Sequence, residues 1–379
     1  MATLYFHIPF CKRICTYCDF YKVGAIELIP KVVEAMHGEL DSRASYLSDR
    51  GITSIYFGGG TPSLIAPEEI EGLISHARRL FDCAEVGEIT LEANPDDLTE
   101  EYIARLRQTS INRISLGIQS FDDRVLGFMN RRHSADEAEQ AVRRLRAVGF
   151  DNISIDIIFG VAGFGDDHLA ESLRRAIDLN VEHISAYHLT VEPRTRLGVM
   201  MRKGEYVPVD EERSEAEYMA VHKRLVEAGY DHYEVSNYAR AGRYAEHNSA
   251  YWRHVPYVGL GPGAHSCMVS GTASDHEDGV SRQWNDSDLN AYLEAAGKGD
   301  FASVRDNEVL TRDQYVMEHI MLALRTSQGV GYDYLERNCD AEALARAFAA
   351  GDLVRLSAGN VRIPEDRFFV SDSIIADLV

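Results

Sequence analysis

The run LYFHIPFCKRICTYCDF, residues 4–20, carries an apolar strand pattern straight into three cysteines, Cys11, Cys15 and Cys18. LYFHIP (4–9) reads as a short strand. The cysteines follow its carboxyl end at the spacing C-x3-C-x2-C, so half of the chain's six cysteines fall within eight positions. Three thiolates this close point to an iron–sulfur cluster or a zinc ion. A cubane cluster usually takes four protein ligands, so three leave one iron open to a small molecule. Zinc would need a fourth ligand, for which His7 or Asp19 is at hand, but a structural zinc site usually pairs two C-x2-C halves and no second half is present.

Working outward, the same pattern recurs. SIYFGG (54–59), EITLEAN (88–94), RISLGIQ (113–119), NISIDIIFG (152–160) and HISAYHLT (183–190) read as strands. Amphipathic stretches of helical length lie between them: 30–46, 68–81 after Pro67, a stretch through residue 107 capped by Thr99, and 167–179. Ser134 and Glu137 form a capping box for a helix ending near Val148, with Gly149 as its stop. A β-α unit repeated six times predicts a parallel sheet with right-handed crossovers, either doubly wound or a barrel. In both, ligands gather at the carboxyl ends of the strands. The unusual clusters all fall there: the cysteines, GGGTP (58–62), EANP (92–95) and GIQSF (117–121). That agreement argues for a single site.

The alternation stops near Tyr238. Residues 239–270 are rich in Gly, Tyr, His and Pro and read as irregular. The expected division is a barrel over 1–238, an irregular connecting segment over 239–300, and a small winged-helix-like domain over 301–379. The last is helical over 312–325, then carries Gly329, Gly331, a short helix and small strands at 353–356 and 361–364. The 379 residues include 60 acidic and 39 basic ones, a formal net charge of −21. That field repels polyphosphates and no basic run offsets it, so nucleic acid and anionic membrane surfaces are not expected as partners. No run of about 18 apolar residues is present, so no transmembrane helix is expected. MATLYFHIPFC lacks the marks of a signal peptide, and the expectation is a cytoplasmic protein with reduced cysteines. Cys83, Cys267 and Cys339 are scattered and read as packed free thiols.

Glu92, Gln119 and Asp156 each interrupt an apolar strand. One such residue is as readily a satisfied structural hydrogen bonder, but three on successive strands favour a polar ligand. In Gly58-Gly59-Gly60-Thr61-Pro62, small residues let the backbone approach a ligand closely. The Gly-Lys-Ser/Thr ending of a phosphate loop is absent.

The cysteine spacing, with Tyr17 before the third cysteine, resembles the radical S-adenosylmethionine superfamily. The resemblance implies a (β/α)6 partial TIM barrel whose three thiolates hold a [4Fe-4S] cluster. The fourth iron then binds the amino and carboxylate groups of S-adenosylmethionine, and electron transfer cleaves the sulfonium to a 5′-deoxyadenosyl radical. It places Gly59, Gly60 and Thr61 at the methionine amino group. Glu92, Gln119 and Asp156 suit the cofactor's polar groups, the two carboxylates its cationic and hydroxyl groups. GFMNRRHS leaves Arg131 and Arg132 open for the cofactor carboxylate, and the resemblance favours Arg131. Tyr5, on the first strand, is expected beside the cluster or the cofactor.

Together, YFHIPFCKRICTYCDF, FGGGTPS, EANP, RISLGIQSF and YEVSNYAR resemble the coproporphyrinogen-dehydrogenase-related subgroup over nearly the whole chain. Of its two branches, the oxidative decarboxylases of coproporphyrinogen III (HemN) carry a fourth cysteine two residues after the third and a long arm before the cluster. Here that position is Phe20, and ten residues precede Cys11. The heme-chaperone branch (HemW) has C-x3-C-x2-C-D-F, matched by Asp19 and Phe20, and H-N-x-x-Y-W, matched by His247 to Trp252. The resemblance therefore implies heme binding and delivery to recipient heme proteins such as respiratory enzymes, an electron donor for the cluster, and a chaperone rather than a coproporphyrinogen dehydrogenase. A neutral imidazole is a good heme-iron ligand, which makes His247 a candidate; the alternative is a histidine ordering an irregular loop. One departure stands out. Where relatives carry G-L-P-G-Q-T, this chain has residues 160–165, GVAGFG, and losing the proline and threonine is expected to loosen that loop.

Overall fold

The computed structural model describes residues 1–165, 167–269 and 279–379. The elements run β1 (Ala2–Ile8), α1 (Ile29–Arg43), β2 (Ile52–Gly59), α2 (Pro67–Leu80), β3 (Glu88–Ala93), α3 (Glu100–Leu106), β4 (Arg113–Gln119), α4 (Asp123–Phe128), α5 (Ala135–Ala147), β5 (Ile153–Phe159), α6 (Asp167–Asp178) and β6 (His183–His188). After α7 (Arg196–Arg202) and α8 (Glu211–Glu227) come β7 (Asp231–Glu234), β8 (Asn237–Ala239), α9 (Glu246–Trp252), β9 (Tyr257–Leu260), β10 (His265–Val269), β11 (Val280–Asn285) and α10 (Leu289–Lys298). The chain closes with β12 (Arg305–Val309), α11 (Arg312–Leu324), β13 (Val330–Gly331), α12 (Tyr332–Asn338), α13 (Ala341–Ala350), β14 (Val354–Arg355), β15 (Asn360–Arg362) and α14 (Ser371–Ala376).

β1 to β6 pair in chain order and in parallel, which is the expected partial barrel of six β-α units. Side chains alternate across a strand, and the two faces here differ in chemistry. One face carries Leu4, Phe6, Ile8, Ile55, Phe57, Ile89, Leu91, Ile114, Leu116, Ile153, Ile155 and Ile184, all in the main apolar core. That core is completed by the buried sides of α1, α2, α5 and α6. The other face is the barrel interior, and it is polar. Ser54, Glu88, Arg113, Ser154 and His183 sit near the amino ends; Glu92, Ser115, Asp156 and Ser185 lie above them. Side-chain layers in closed barrels are mostly branched and apolar. A polar interior leaves room and hydrogen-bonding capacity for something that is not protein.

Local signals explain the helix starts. Thr99 caps α3 through the Tyr102 amide at 3.1 Å, and Ser134 and Glu137 form the expected reciprocal box at α5.

The stretch 239–300, expected to be irregular, instead holds α9, β9, β10, β11 and α10 among its described residues. β9 lies parallel to β1, with Tyr5 opposite Gly259, and β10, β11 and β12 follow as antiparallel neighbours. Among the described residues the sheet therefore has twelve strands, ordered β12-β11-β10-β9-β1-β2-β3-β4-β5-β6-β8-β7. The expected boundary at 301 also falls inside this sheet, since β12 lies beyond it. The strands were hidden by Gly261 and Gly263, which adopt positive φ in the β9–β10 turn, and by polar residues within β11. Beyond α11, a three-stranded antiparallel sheet of β13, β15 and β14 packs with α12 and α13.

Candidate functional site

The loop after β1 is held by several crosslinks. The Cys11 amide bonds Val23 O at 3.0 Å, Lys22 Nζ donates to Cys18 O at 2.5 Å and Phe20 O at 3.0 Å, and Asn130 Nδ2 donates to Ile14 O at 2.7 Å. Asn130 has φ +61°, a conformation asparagine tolerates better than most residues. The three cysteines are free thiols, and all line one cavity of about 480 Å3 at the carboxyl ends of β1 to β6. Burial pushes the thiols of Cys11 and Cys18 up. Among the described residues no three His, Cys, Asp or Glu side chains are grouped tightly enough for a single metal ion.

Gly59, Gly60, Thr61, Glu92, Gln119, Arg131 and Asp156, drawn from four different strand ends, line that same cavity. Gly59 has φ +109°, and a Cβ there would lie 2.6 Å from the His7 ring; one on Gly60 would lie 2.8 Å from Ile8 O. The Gly59 amide donates to Glu92 Oε2 at 3.1 Å, and Tyr56 OH donates to Oε1 at 2.7 Å. Burial nonetheless pushes the Glu92 carboxyl up to about 7, with Asp156 adding to the rise. Burial raises Asp156 to about 6 against the hydrogen bonds of Ser185 and Ser115. Gln119 ends β4 with φ +71°, a strained conformation for a residue with a side chain and one found most often at functional sites.

The two arginines separate cleanly. Arg131 faces the cavity: Nη1 lies 3.4 Å from Cys15 Sγ, Nη2 donates to Asn94 Oδ1 at 2.6 Å and to Gly117 O, and Nε has no hydrogen-bond partner. Arg132 is bound to Asp96 at 2.8 Å and Asp97 at 3.1 Å. Tyr5 does not line this cavity. Its hydroxyl bonds His7 Nδ1 at 2.9 Å and it lines a second, neighbouring cavity.

His247 lies elsewhere. It is 1% exposed, on the first turn of α9, plugging the interior at the amino ends of the strands. Nδ1 bonds Ser54 Oγ and Nε2 bonds Tyr251 OH, each at 2.9 Å, while the amides of Glu246 and His247 donate to Glu88 at 3.0 and 3.1 Å. Burial lowers the imidazole to about 3. Both ring nitrogens are thus engaged within the protein, tying α9 to β2 of the barrel.

The first half of the 160–165 loop is held by contacts within the protein. Gly160 N donates to Glu217 at 2.7 Å, Val161 is fully buried, and Ala162 N donates to Tyr206 OH at 3.3 Å.

The cavity also holds residues that the strand patterns did not single out: Asn94, Ser115, Tyr187 and Glu192. Asn94 links Arg131 to Thr61, donating to Thr61 Oγ1 at 3.2 Å. The EANP run was its only signal.

The described residues thus form a partial barrel with three free cysteines at the mouth of a polar interior. The Radical SAM superfamily model matches residues 5–176. A Bacillus subtilis protein named heme chaperone HemW is 33% identical over 87% of this chain and 85% of its own length. The zebrafish radical S-adenosyl methionine domain-containing protein 1, mitochondrial, is 30% identical over 97% of this chain and 82% of its own. Among solved structures, the Escherichia coli coproporphyrinogen III oxidase HemN superposes with a TM-score of 0.80 at 20% identity, covering 99% of this chain and 89% of that one. The chain belongs to the radical SAM superfamily and, within it, to the heme chaperone HemW family. The likeness to HemN is one of fold. No helix among the described residues is long and apolar enough to cross a membrane.

Proposed function

We propose that this protein binds heme and hands it to recipient heme proteins such as respiratory enzymes, on a scaffold that holds a [4Fe-4S] cluster and S-adenosylmethionine. The observation that carries this reading is the match to HemW proteins along most of both chains, joined to a cavity whose residues suit both groups.

The donor set fits a cluster better than zinc. Zinc–thiolate bonds of about 2.3 Å would draw three sulfurs around one ion. A cubane spreads its ligands over different irons, and the three thiols share one cavity with no second C-x2-C half beside them. Cys11, Cys15 and Cys18 are the ligands in this reading, and burial of Cys11 and Cys18 means that the metal must displace their protons. When bound, the cluster supplies one iron with a position open to the amino acid end of S-adenosylmethionine.

The remaining roles belong to side chains. Arg131 presents a guanidinium with an unused Nε–H to a carboxylate. Gly59 and Gly60 keep the backbone close to the cavity because no side chain fits there beside His7 and Ile8, and Thr61 follows them in its wall. Glu92 and Asp156 become charged on meeting a cationic ligand, and Gln119 offers an amide. A serine at Cys15 is expected to abolish the cluster's visible absorption while far-UV circular dichroism and melting change by no more than about 1 kcal/mol, since Cys15 is only partly buried. Unchanged absorption would remove Cys15 from the ligand set.

The functional test is paired. Protein purified without oxygen and loaded with cluster is offered heme and, separately, coproporphyrinogen III. Stable heme binding without product supports the chaperone reading, whereas decarboxylated product at enzymatic rates overturns it in favour of the oxidase.

A further inference from the structure

The interior face of the sheet does not stop at β1. β9, β10 and β11 continue it, placing Tyr257, Cys267, His265 and Arg282 on the same side as Tyr5 and His7. α11 lies across this extension, its Tyr315 packed with Cys267 and Val280. Between sheet and helix is the second cavity, of about 690 Å3, within the usual range for sites that enclose a cofactor-sized ligand. Tyr251 and Tyr257, 4.8 Å apart edge to face, give it a ring wall, and Met321 and Leu322 of α11 give it apolar surface. Asp19 and Phe20 border both cavities. Phe20, 69% exposed, stands between them where a decarboxylating relative would have its fourth cysteine.

His265 is the distinctive group. It lines this cavity, is exposed, and stacks on Trp284 at 6.0 Å. Neither ring nitrogen has a hydrogen-bond partner among the described residues. The contrast with its neighbours is sharp: His7 bonds Tyr5 and Tyr21, and His247 bonds Ser54 and Tyr251. Partial burial and the nearby Arg282 guanidinium lower the His265 pKa, so a nitrogen lone pair is available at neutral pH. Arg282, paired with Glu318, brings a cation to the same space.

Resting on the reading that this protein carries heme, we propose that the tetrapyrrole lies in this second cavity against Tyr251 and Tyr257, with His265 ligating the iron and Arg282 facing a propionate. This moves the heme site from the buried histidine of the HNSAYW run to a strand on the sheet extension, side by side with the cysteine-lined cavity.

The test uses cluster-loaded full-length protein titrated with heme and, in parallel, with iron-free protoporphyrin IX. His265→Ala is expected to shift the Soret band and weaken heme binding at least about tenfold, while protoporphyrin IX affinity stays within a factor of about two. Added imidazole is expected to restore the Soret band. Met321→Trp, which fills the cavity, is expected to weaken both ligands. A His265→Ala protein with wild-type spectrum and affinity would overturn this site and leave the heme reading standing. Wild-type protein that binds no heme would overturn both.

Discussion

Adjacent residues of one type can carry unrelated work, and Arg131 and Arg132 show how the fold decides. Arg131 spends two nitrogens on Asn94, Gly117 and Cys15 and leaves Nε free, whereas Arg132 is consumed by Asp96 and Asp97. Arg131→Ala is expected to weaken S-adenosylmethionine binding at least about tenfold by calorimetry on cluster-loaded protein, and Arg132→Ala to change it less than about twofold. Equal losses would mean that the cavity-facing geometry does not select between them. Glu92 and Asp156 make a prediction of a different kind. Both carboxyls have folded pKa values, about 7 and about 6, above their ordinary values of 4.5 and 3.8. The folded chain therefore binds more protons than the unfolded chain in the interval between. Their stabilising contribution is complete below the ordinary values and is lost as pH rises through about 6 and 7. In cofactor-free protein, the melting-temperature advantage of Glu92→Gln/Asp156→Asn over the wild type is expected to grow from about pH 5 to about pH 8. A pH-independent difference would show that these carboxyls are not raised.

Among elements, α9 is the clearest case of a motif whose polar groups are spent on the barrel. Its first amides close on Glu88, and its histidine joins Ser54 of β2 to Tyr251 one turn on. His247→Ala is expected to cost about 2–4 kcal/mol in denaturant unfolding, from a cavity and two orphaned hydroxyls, with the heme Soret band unmoved. A shifted Soret band in a fully folded variant would return His247 to the iron. The same scale explains what could be read beforehand. β1 to β6 were legible because Ile, Leu and Phe recur at every second position under the helices, and α5 because Ser134 and Glu137 state its start. β9 to β12 are four to six residues each and lie where turns and polar residues break the pattern, so only pairing with β1 reveals them. Within the site, cysteines and lone charges announce themselves. Ser115 and Tyr187 do not, because a small or aromatic hydroxyl becomes a site residue only through the face its strand presents.

At the scale of the whole molecule, one carboxylate ties barrel to extension. Glu39 of α1 is fully buried and accepts from Gly261 N at 2.8 Å, Tyr292 OH at 2.8 Å, Asn285 Nδ2 at 2.7 Å and Arg305 Nη2 at 2.9 Å. These partners come from the β9–β10 turn, β11, α10 and β12. Glu39→Ala takes the shared acceptor from a half-buried guanidinium and three other donors, and a loss of about 1–3 kcal/mol is expected in denaturant melts, with amide exchange quickening across β9 to β12 before the six-stranded barrel. Uniform quickening would mean that the two parts open as one.

The pairing of β1 with β9 also sets a timetable. At ribosomal speeds of about 5–20 residues per second, the roughly 250 residues between these strands take on the order of 10–50 s to make. Throughout that interval one edge of β1 has no neighbour, and an unpaired edge invites pairing with other chains. The cysteine loop follows that same strand, while the cavity it borders is lined by residues no later than Glu192. A nascent chain would thus need that edge of β1 shielded until β9 docks.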